Sequence, residues 1–248
     1  MKHATILLAA AMVLGGVGAV FADTAVMNPL RTDGYANLTM MGGARYVFGG
    51  KDFTAFKPYV VTLYSPKGFN PLRDNVADHI HHHGLMFAIA VDGVDFWSET
   101  KNCGKQIHRE TTAFGWHTNS NGRDGGVFAA KLDWVRRDGN TVAKEERTIS
   151  ADRDTSGDNP QTLTWRTQLS PPPGKDSITL TGSHYFGLGM RLVKSMDNAS
   201  SFQFADPNAK SLTVRGDEKL TPSTWAACTG SVDGNTVTVA MFDHPDNP

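Results

Sequence analysis

The 248-residue chain lacks several features that define large classes of proteins. It has no excess of charge of one sign, since 24 Lys and Arg residues balance 25 Asp and Glu residues. Nucleic-acid binding therefore lacks its usual electrostatic support. Only two cysteines are present, Cys103 and Cys228, and their distance in sequence excludes a C-x-x-C zinc or redox motif. In an oxidising compartment they could form a disulfide, and two free thiols are equally compatible with the sequence.

Long apolar runs are absent as well, apart from one at the start of the chain. Lys2 precedes an apolar run over residues 6–20, and small residues at positions 20 and 22 suit cleavage by a signal peptidase. A permanent anchor, the alternative, needs ~20 apolar residues. We therefore expect residues 1–22 to be a signal peptide and residues 23–248 to form one periplasmic or secreted domain without stable membrane insertion.

Short stretches with alternating apolar and polar residues recur along the rest of the chain. None keeps a helical spacing of apolar residues for three turns, and Asp-Gly pairs at 92–93, 138–139 and 233–234 suit tight hairpins. The sequence therefore predicts an all-β fold, an antiparallel β-sandwich. The predicted strands cover residues 59–64, 85–91, 126–135, 141–150, 162–169, 177–185, 211–214 and 236–242. Residues 152–161 and 170–176 are predicted to be loops.

A cluster of histidines is the feature least easily explained by packing. Residues 78–84 read Asp-His-Ile-His-His-His-Gly and lead into the predicted strand at 85–91. If strand geometry extends back through the cluster, His79, His81 and His83 project from one face. Three imidazoles can bind a divalent metal such as Zn, Cu or Fe, with Asp78 as a ligand or a supporting group. In the alternative, these histidines form hydrogen bonds in a polar pocket and hold no metal.

Two further polar clusters follow strand-like segments. The first brings His184 and Arg191 together with two glycines, and the second places Asp243 and His244 at the end of the last predicted strand. Each offers proton-transfer groups, and an exposed turn is the alternative reading of the second.

Aromatic residues lie between the polar clusters and suggest a sugar ligand. Trp97 and Trp225 each lie beside a polar turn, where an indole face could stack on a sugar ring. Most of the other aromatic residues are expected in the core. These two therefore point to carbohydrate binding.

Several motifs together resemble the exported bacterial family labelled "methane oxygenase PmoA". They read Phe-Lys-Pro-Tyr at 56–59, Leu-Tyr-Ser-Pro-Lys-Gly at 63–68, Asp-His-Ile-His-His at 78–82, Val-Asp-Phe-Trp at 94–97, Gly-Leu-Gly-Met-Arg at 187–191 and Asp-His-Pro-Asp-Asn-Pro at 243–248. His-Tyr-Phe at 184–186 adds a weaker similarity to mutarotase-like sugar enzymes. The resemblance implies a β-sandwich, with a mutarotase-like supersandwich as one form of it. Family members usually carry a basic residue where this chain has His83. They also usually continue beyond the point where this chain stops. A domain truncated at its C-terminus is therefore an alternative to a complete one.

We therefore expect an exported carbohydrate-active enzyme that hydrolyses, eliminates or epimerises a glycoside, either a small molecule or an oligosaccharide. The residues expected to take part in catalysis are His184, Asp243, His244 and Asp78. Those expected to bind the substrate are Arg73, Trp97, Arg191 and Trp225. Those expected to bind a metal, if one is used, are His79, His81 and His83. The alternatives are a non-catalytic carbohydrate-binding sandwich and a metal-dependent oxygenase. All of these roles require the three polar clusters to converge in one pocket.

Overall fold

The structure is a computed structural model, and it is almost entirely β. It describes residues 4–8, 34–38, 43–49, 55–74, 76–77, 79–118, 123–154, 160–197, 201–216 and 218–247. Within these ranges the chain forms strands and one 3-10 helix, Lys194–Met196, and no α-helix. The same ranges contain no helix of the length and apolarity needed to cross a membrane.

The strands are numbered in chain order. They are β1 Ala4–Leu8, β2 Tyr35–Asn37, β3 Ala44–Val47, β4 Tyr59–Leu63, β5 Leu85–Ala88, β6 Ala90–Val91, β7 Val94–Asp95, β8 Lys105–Thr118, β9 Arg123–Val135, β10 Thr141–Asp154, β11 Thr162–Ser170, β12 Leu180–Thr181, β13 Gly187–Met190, β14 Ser201–Phe204, β15 Leu212–Arg215, β16 Glu218–Leu220, β17 Trp225–Val232 and β18 Asn235–Phe242.

Two five-stranded antiparallel sheets enclose the main core. One has the order β1-β11-β10-β9-β8 and the other the order β13-β5-β4-β3-β2. Their inner faces meet through aromatic contacts, such as Tyr46 of β3 against Phe128 of β9 at 5.1 Å and Phe87 of β5 against Trp134 of β9 at 6.1 Å. Because one face of each sheet is buried against the other, the arrangement is the predicted antiparallel sandwich.

A buried polar network ties the two sheets together next to β4. Arg147 and Glu145 of β10 have almost no exposed surface, and Arg147 Nε donates to Glu145 Oε1 at 2.7 Å. The same guanidinium donates to Tyr46 Oη, at 3.0 Å, and to the carbonyl oxygen of Pro58, at 3.3 Å. Since buried charges are tolerated only when they are paired and hydrogen-bonded, the network fixes the segment that enters β4.

Most of the predicted strands are confirmed, with ends that differ by a few residues. The segment 177–185 is the exception, because only Leu180–Thr181 pairs and a turn follows it, in which Phe186 N–H donates to Ser183 O at 3.0 Å. The pairs at 92–93 and 233–234 form the expected tight hairpins, with Asp92 at φ 50° and Asp233 at φ 49°.

Two long strands were not predicted. β8 has register irregularities between His108 and Glu110 and between Thr111 and Ala113, which interrupt the alternation of its side chains. β17 is built mainly from small residues with no clear polar face. In both cases the period-two pattern is lost although the backbone is extended.

The two cysteines are both free and buried. Cys103 Sγ lies 3.2 Å from Thr100 Oγ1, whereas Cys228 packs with Met196 in a smaller core beneath β17 and β18. Of the two alternatives left open by the sequence, the structure therefore contains two separate thiols. Most of the predicted signal peptide lies outside the described residues, and its one described part, β1, pairs with β11.

Candidate functional site

The histidine cluster forms a turn, which we call the histidine turn (residues 79–83). His79 N–H donates to Val76 O at 3.0 Å, and His82 N–H donates to His79 O at 2.9 Å. The predicted alternation of His79, His81 and His83 on one strand face is therefore wrong. Strand geometry begins only after Gly84. At that residue a Cβ would lie 2.3 Å from the carbonyl oxygen of Val60.

Three imidazole rings of the histidine turn pack against one another. The ring of His82 lies 4.8 Å from His79 and 4.3 Å from His81, measured between centroids, and 5.7 Å from Trp97. Burial lowers the pKa of His82 to about 4, and the charges of neighbouring cationic groups, Arg191 among them, act in the same direction. Burial also lowers the pKa of His81. Both rings are therefore neutral near pH 7 and can accept a proton.

His83 faces the other way and bridges two carboxylates. Its Nδ1 lies 2.6 Å from Asp74 Oδ1 and its Nε2 lies 2.9 Å from Glu99 Oε1. Burial alone would lower the pKa of His83, but the hydrogen bonds to Asp74 and Glu99 outweigh it and raise this pKa. In the protonated form, which the raised pKa favours, both ring nitrogens of His83 donate to carboxylates and leave no lone pair for a metal. The structure therefore places it in an ion-paired chain and not in the expected metal site.

That chain continues to a buried lysine and a tyrosine, and we call it the carboxylate–histidine chain (Tyr59, Asp74, His83, Glu99 and Lys57). Lys57 Nζ lies 2.5 Å from Glu99 Oε1, and its side chain has no exposed surface. Tyr59 Oη donates to Asp74 Oδ2 at 2.6 Å, and its ring stacks on His83 at 4.3 Å. Glu99 has a φ of 53°, a conformation that costs energy for a residue other than glycine. The chain holds one side of the histidine turn in place.

Within the described ranges no three His, Cys, Asp or Glu side chains are arranged to hold a metal ion. Asp78, the expected fourth participant, lies outside the described residues. We therefore derive no chemical step through a metal, and metal binding by His79 and His81 stays a prediction.

Trp97 is packed too tightly to act as an open platform for a sugar. Its side chain is only 6% exposed, and its ring stacks on Phe186 at 5.7 Å. A Cβ on Gly189 would approach the indole to 3.1 Å, so this residue also lies close against the ring. Trp97 therefore supports His82 and does not offer a free face to a substrate.

The backbone of Arg73 and Arg191 lies beside the histidine turn. The backbone N–H of Arg191 donates to Gly84 O at 2.7 Å, and the backbone N–H of Arg73 donates to Arg191 O at 3.0 Å. The charge of Arg191 is one of the causes that lower the pKa of His82, after burial and the neighbouring histidines. The turn therefore has cationic groups next to neutral imidazoles.

The described contacts of His184 lead to a different cluster. His184 Nε2 lies 3.4 Å from Glu218 Oε2, and Tyr185 Oη donates to the same carboxylate at 2.6 Å. Arg215 completes the group with an ion pair to Glu218 at 2.9 Å. Phe186, two residues further along the chain, stacks on Trp97 and so reaches the surroundings of the histidine turn.

The third predicted cluster lies at the end of β18. Asp243 Oδ1 accepts from Asn247 Nδ2 at 2.5 Å, and His244 Nδ1 accepts from the backbone N–H of Asp246 at 3.2 Å. Trp225 packs nearby, since its β-strand partner Phe242 lies 6.3 Å from it between ring centroids. These contacts are local to one hairpin end.

Two cavities of the structure are lined by residues outside the histidine turn. One, of about 630 Å³, lies around residues 93–95, Cys103 and residues 136–138. The other, of about 250 Å³, lies between β4, β5, β13 and β18. Neither of these two linings contains His184, Asp243 or a residue of the histidine turn.

Sequence reasoning missed most of the carboxylate–histidine chain. Lys57 and Tyr59 both belong to the Phe-Lys-Pro-Tyr motif at 56–59, and Glu99 follows the Val-Asp-Phe-Trp motif by two residues. The motifs therefore indicated which segments form the site, although the roles of their individual side chains could not be predicted. Asp74 had no signal other than its position next to Arg73.

The fold and this site define an all-β protein with an ion-paired histidine turn at the edge of a sandwich. The chain belongs to a family of unknown function (DUF6807), whose model matches residues 40–248. All described residues of the histidine turn and of the carboxylate–histidine chain fall in that range. No curated protein matches the chain. No solved structure matches it either.

Proposed function

We propose that the chain is an exported enzyme that transforms a carbohydrate by proton transfer at the histidine turn. The observation that carries this proposal is the ring of His82, which is neutral, wedged between His81 and Trp97, and close to the charge of Arg191. Strongly shifted pKa values with identifiable charge partners are concentrated at functional sites. A neutral imidazole next to a fixed cation combines a proton acceptor with a group that stabilises negative charge.

The charges around His82 favour some of the expected reactions over others. Glycoside hydrolysis usually passes through a transition state with positive charge on the sugar, and it uses a pair of carboxylic acids. Arg73 and Arg191 would oppose such a charge. They would instead stabilise the negative charge that develops when a proton is removed from a carbon beside a carbonyl group. Elimination or epimerisation therefore fits this site better than hydrolysis.

An elimination at this site needs no additional reactant. His82 takes the proton from the carbon, the electron pair of that C–H bond forms a carbon–carbon double bond, and the bond to the leaving oxygen breaks. The leaving oxygen then takes up the proton that His82 removed, so atoms and electrons balance. In an epimerisation a proton from solvent adds to the opposite face of the same carbon, and His82 releases its proton to solvent. In both reactions the carboxylate–histidine chain acts by positioning the turn.

Two features of the sequence support an exported protein that acts on sugars. Lys2 and the apolar run at residues 6–20 are typical of a secretory signal peptide. His-Tyr-Phe at 184–186 is similar to mutarotase-like sugar enzymes, and Phe186 of this motif packs on Trp97 beside the turn. A periplasmic or secreted location would give the enzyme access to extracellular polysaccharides.

The test is turnover of a panel of neutral and acidic glycosides by the wild type and by His82→Gln. Glutamine keeps hydrogen-bonding capacity but cannot accept the proton, so we expect a loss of ~10²–10⁴-fold in kcat with an unchanged thermal midpoint. Ile80→Ala is the control, because Ile80 lies in the same turn and is 60% exposed, and it should retain full activity. Undiminished turnover by His82→Gln would refute the proposal. Sugar binding without turnover by the wild type would favour a non-catalytic sandwich instead.

A further inference from the structure

Arg73 and Arg191 are held side by side by the backbone. Leu72 and Leu192 form an isolated antiparallel bridge, and the N–H of Arg73 donates to Arg191 O at 3.0 Å. Residues that lie opposite each other in an antiparallel pair project their side chains to the same face, with Cβ atoms about 4.5–5.5 Å apart. Gly84, next to the histidine turn, pairs with Arg191 on its other side. The side chains of Arg73 and Arg191 therefore leave the backbone on the same face, next to the histidine turn.

Only one of these two arginines has an acidic partner among the described residues. Arg73 Nη2 lies 3.1 Å from Asp197 Oδ2. Arg191 forms no ion pair in the described part of the chain. The Nε atoms of both arginines are buried and have no hydrogen-bond partner there. Buried donors are nearly always satisfied in folded proteins, so these two donors, on residues that face each other across the bridge, indicate a place where a ligand can bind.

The charge at this place matches a ligand with a single negative charge. Asp197 compensates Arg73, and the lysine of the carboxylate–histidine chain is paired with Glu99. Arg191 has no such acidic partner among the described residues, so its positive charge is the one left to compensate in this pair of arginines. A planar guanidinium matches a carboxylate in two parallel hydrogen bonds.

We propose that Arg191, assisted by Arg73, binds the carboxylate of an acidic sugar, so that the substrate class of this enzyme is a uronic acid or a uronate-containing oligosaccharide. This inference rests on the proposed function and names its substrate. The carboxylate would be bonded to the carbon from which His82 takes the proton. Pairing this carboxylate with Arg191 makes that proton more acidic, because the charge that develops spreads onto an already neutralised group. A sulfate ester carries the same single charge and is the other source of such an anion.

The experiment is calorimetric titration of the full chain with D-galacturonate, D-galactose, D-galactose 6-sulfate and D-galactose 6-phosphate. We expect D-galacturonate to bind about 10- to 100-fold more tightly than D-galactose, the range of a charge-assisted hydrogen-bonded pair. Arg191→Gln should remove this preference and Arg191→Lys should restore part of it. Arg166→Gln, a change on the exposed face of β11, should leave the preference intact. His82→Gln should bind D-galacturonate normally while losing turnover.

The outcomes separate this inference from the proposed function. Equal binding of D-galactose and D-galacturonate, with turnover of neutral glycosides that depends on His82, would overturn the anion site and leave the proposed function standing. Preference for the sulfate ester or the phosphate would overturn the carboxylate assignment. A preference that survives Arg191→Gln would overturn the role of this residue. Binding of no sugar at all would overturn both proposals.

Discussion

Replacing Glu99 by glutamine tests whether the carboxylate–histidine chain holds the histidine turn. The substitution keeps the size of the side chain but removes its charge. Lys57, whose side chain is fully buried, then loses the negative charge that lies 2.5 Å from its Nζ and has only uncharged hydrogen-bond acceptors, the amide oxygen of the glutamine and the carbonyl oxygen of Trp97 at 2.7 Å. His83 exchanges one of its two carboxylate partners for a neutral amide oxygen at the same time. A buried cation without a counter-charge is among the most destabilising arrangements in a folded protein.

The expected loss of unfolding free energy is roughly 3–5 kcal/mol, the cost of breaking a buried ion pair. For a chain of this size the thermal midpoint should fall by roughly 6–20 °C. Burial lowers the pKa of Lys57 and Glu99 opposes this effect. In the variant Lys57 gives up its proton more readily, so the loss should be smaller at about pH 9 than at about pH 6.

Urea denaturation followed by tryptophan fluorescence measures the effect, with Glu110→Gln as a matched control. Glu110 pairs with Lys131 at 3.1 Å, but both side chains are more than half exposed, so the control should change by less than ~1 kcal/mol. The double variant Lys57→Met, Glu99→Gln should recover part of the loss because Lys57 no longer leaves an unpaired charge in the core. A Glu99→Gln variant as stable as the control would refute the account of the chain.

Three other predictions concern the surroundings of the turn. The pKa of His83 is raised in the folded protein. The protonated ring therefore stabilises the fold fully below the unfolded pKa of ~6.5, and this stabilisation is lost as the pH rises through the folded pKa. In urea titrations above neutral pH, His83→Gln should flatten that decline in stability. Gly84→Ala should cost roughly 1–3 kcal/mol by the same assay, since its Cβ would lie 2.3 Å from a backbone oxygen of Val60 that cannot move freely; stability equal to the wild type would contradict this contact. The two cysteines should react with a thiol reagent only after unfolding, because both are free and buried; a single or absent thiol in denaturant would indicate modification or pairing.

The sandwich could be predicted from the sequence wherever side chains alternate between the core and solvent. In β11 the buried residues Leu163, Trp165, Thr167 and Leu169 alternate with less buried ones, so the pattern identifies the strand directly. In β8 the register irregularities remove the alternation, and β-bulges leave no reliable local signature. The fold class was therefore accessible and the full strand set was not.

The site could be predicted only in part, for two physical reasons. The alternation expected for the histidines assumed that β5 extends backwards, but hydrogen bonds within the turn end the strand at Leu85. The roles of Lys57, Asp74 and Glu99 depend on contacts between residues 9 to 42 positions apart. Such contacts follow from sheet topology, which a local pattern does not encode.

The proposed function depends on His82 being a neutral proton acceptor beside Arg191, whose charge would be compensated by the carboxylate of the substrate. NMR titration of the histidine ring protons, assigned with His82→Gln, tests it most directly. We expect the pKa of His82 to be about 4 in the free protein. Bound D-galacturonate should raise that pKa, since its carboxylate neutralises the charge of Arg191. A ring that titrates near the ordinary value of ~6.5, and does not respond to the acidic sugar, would contradict the account.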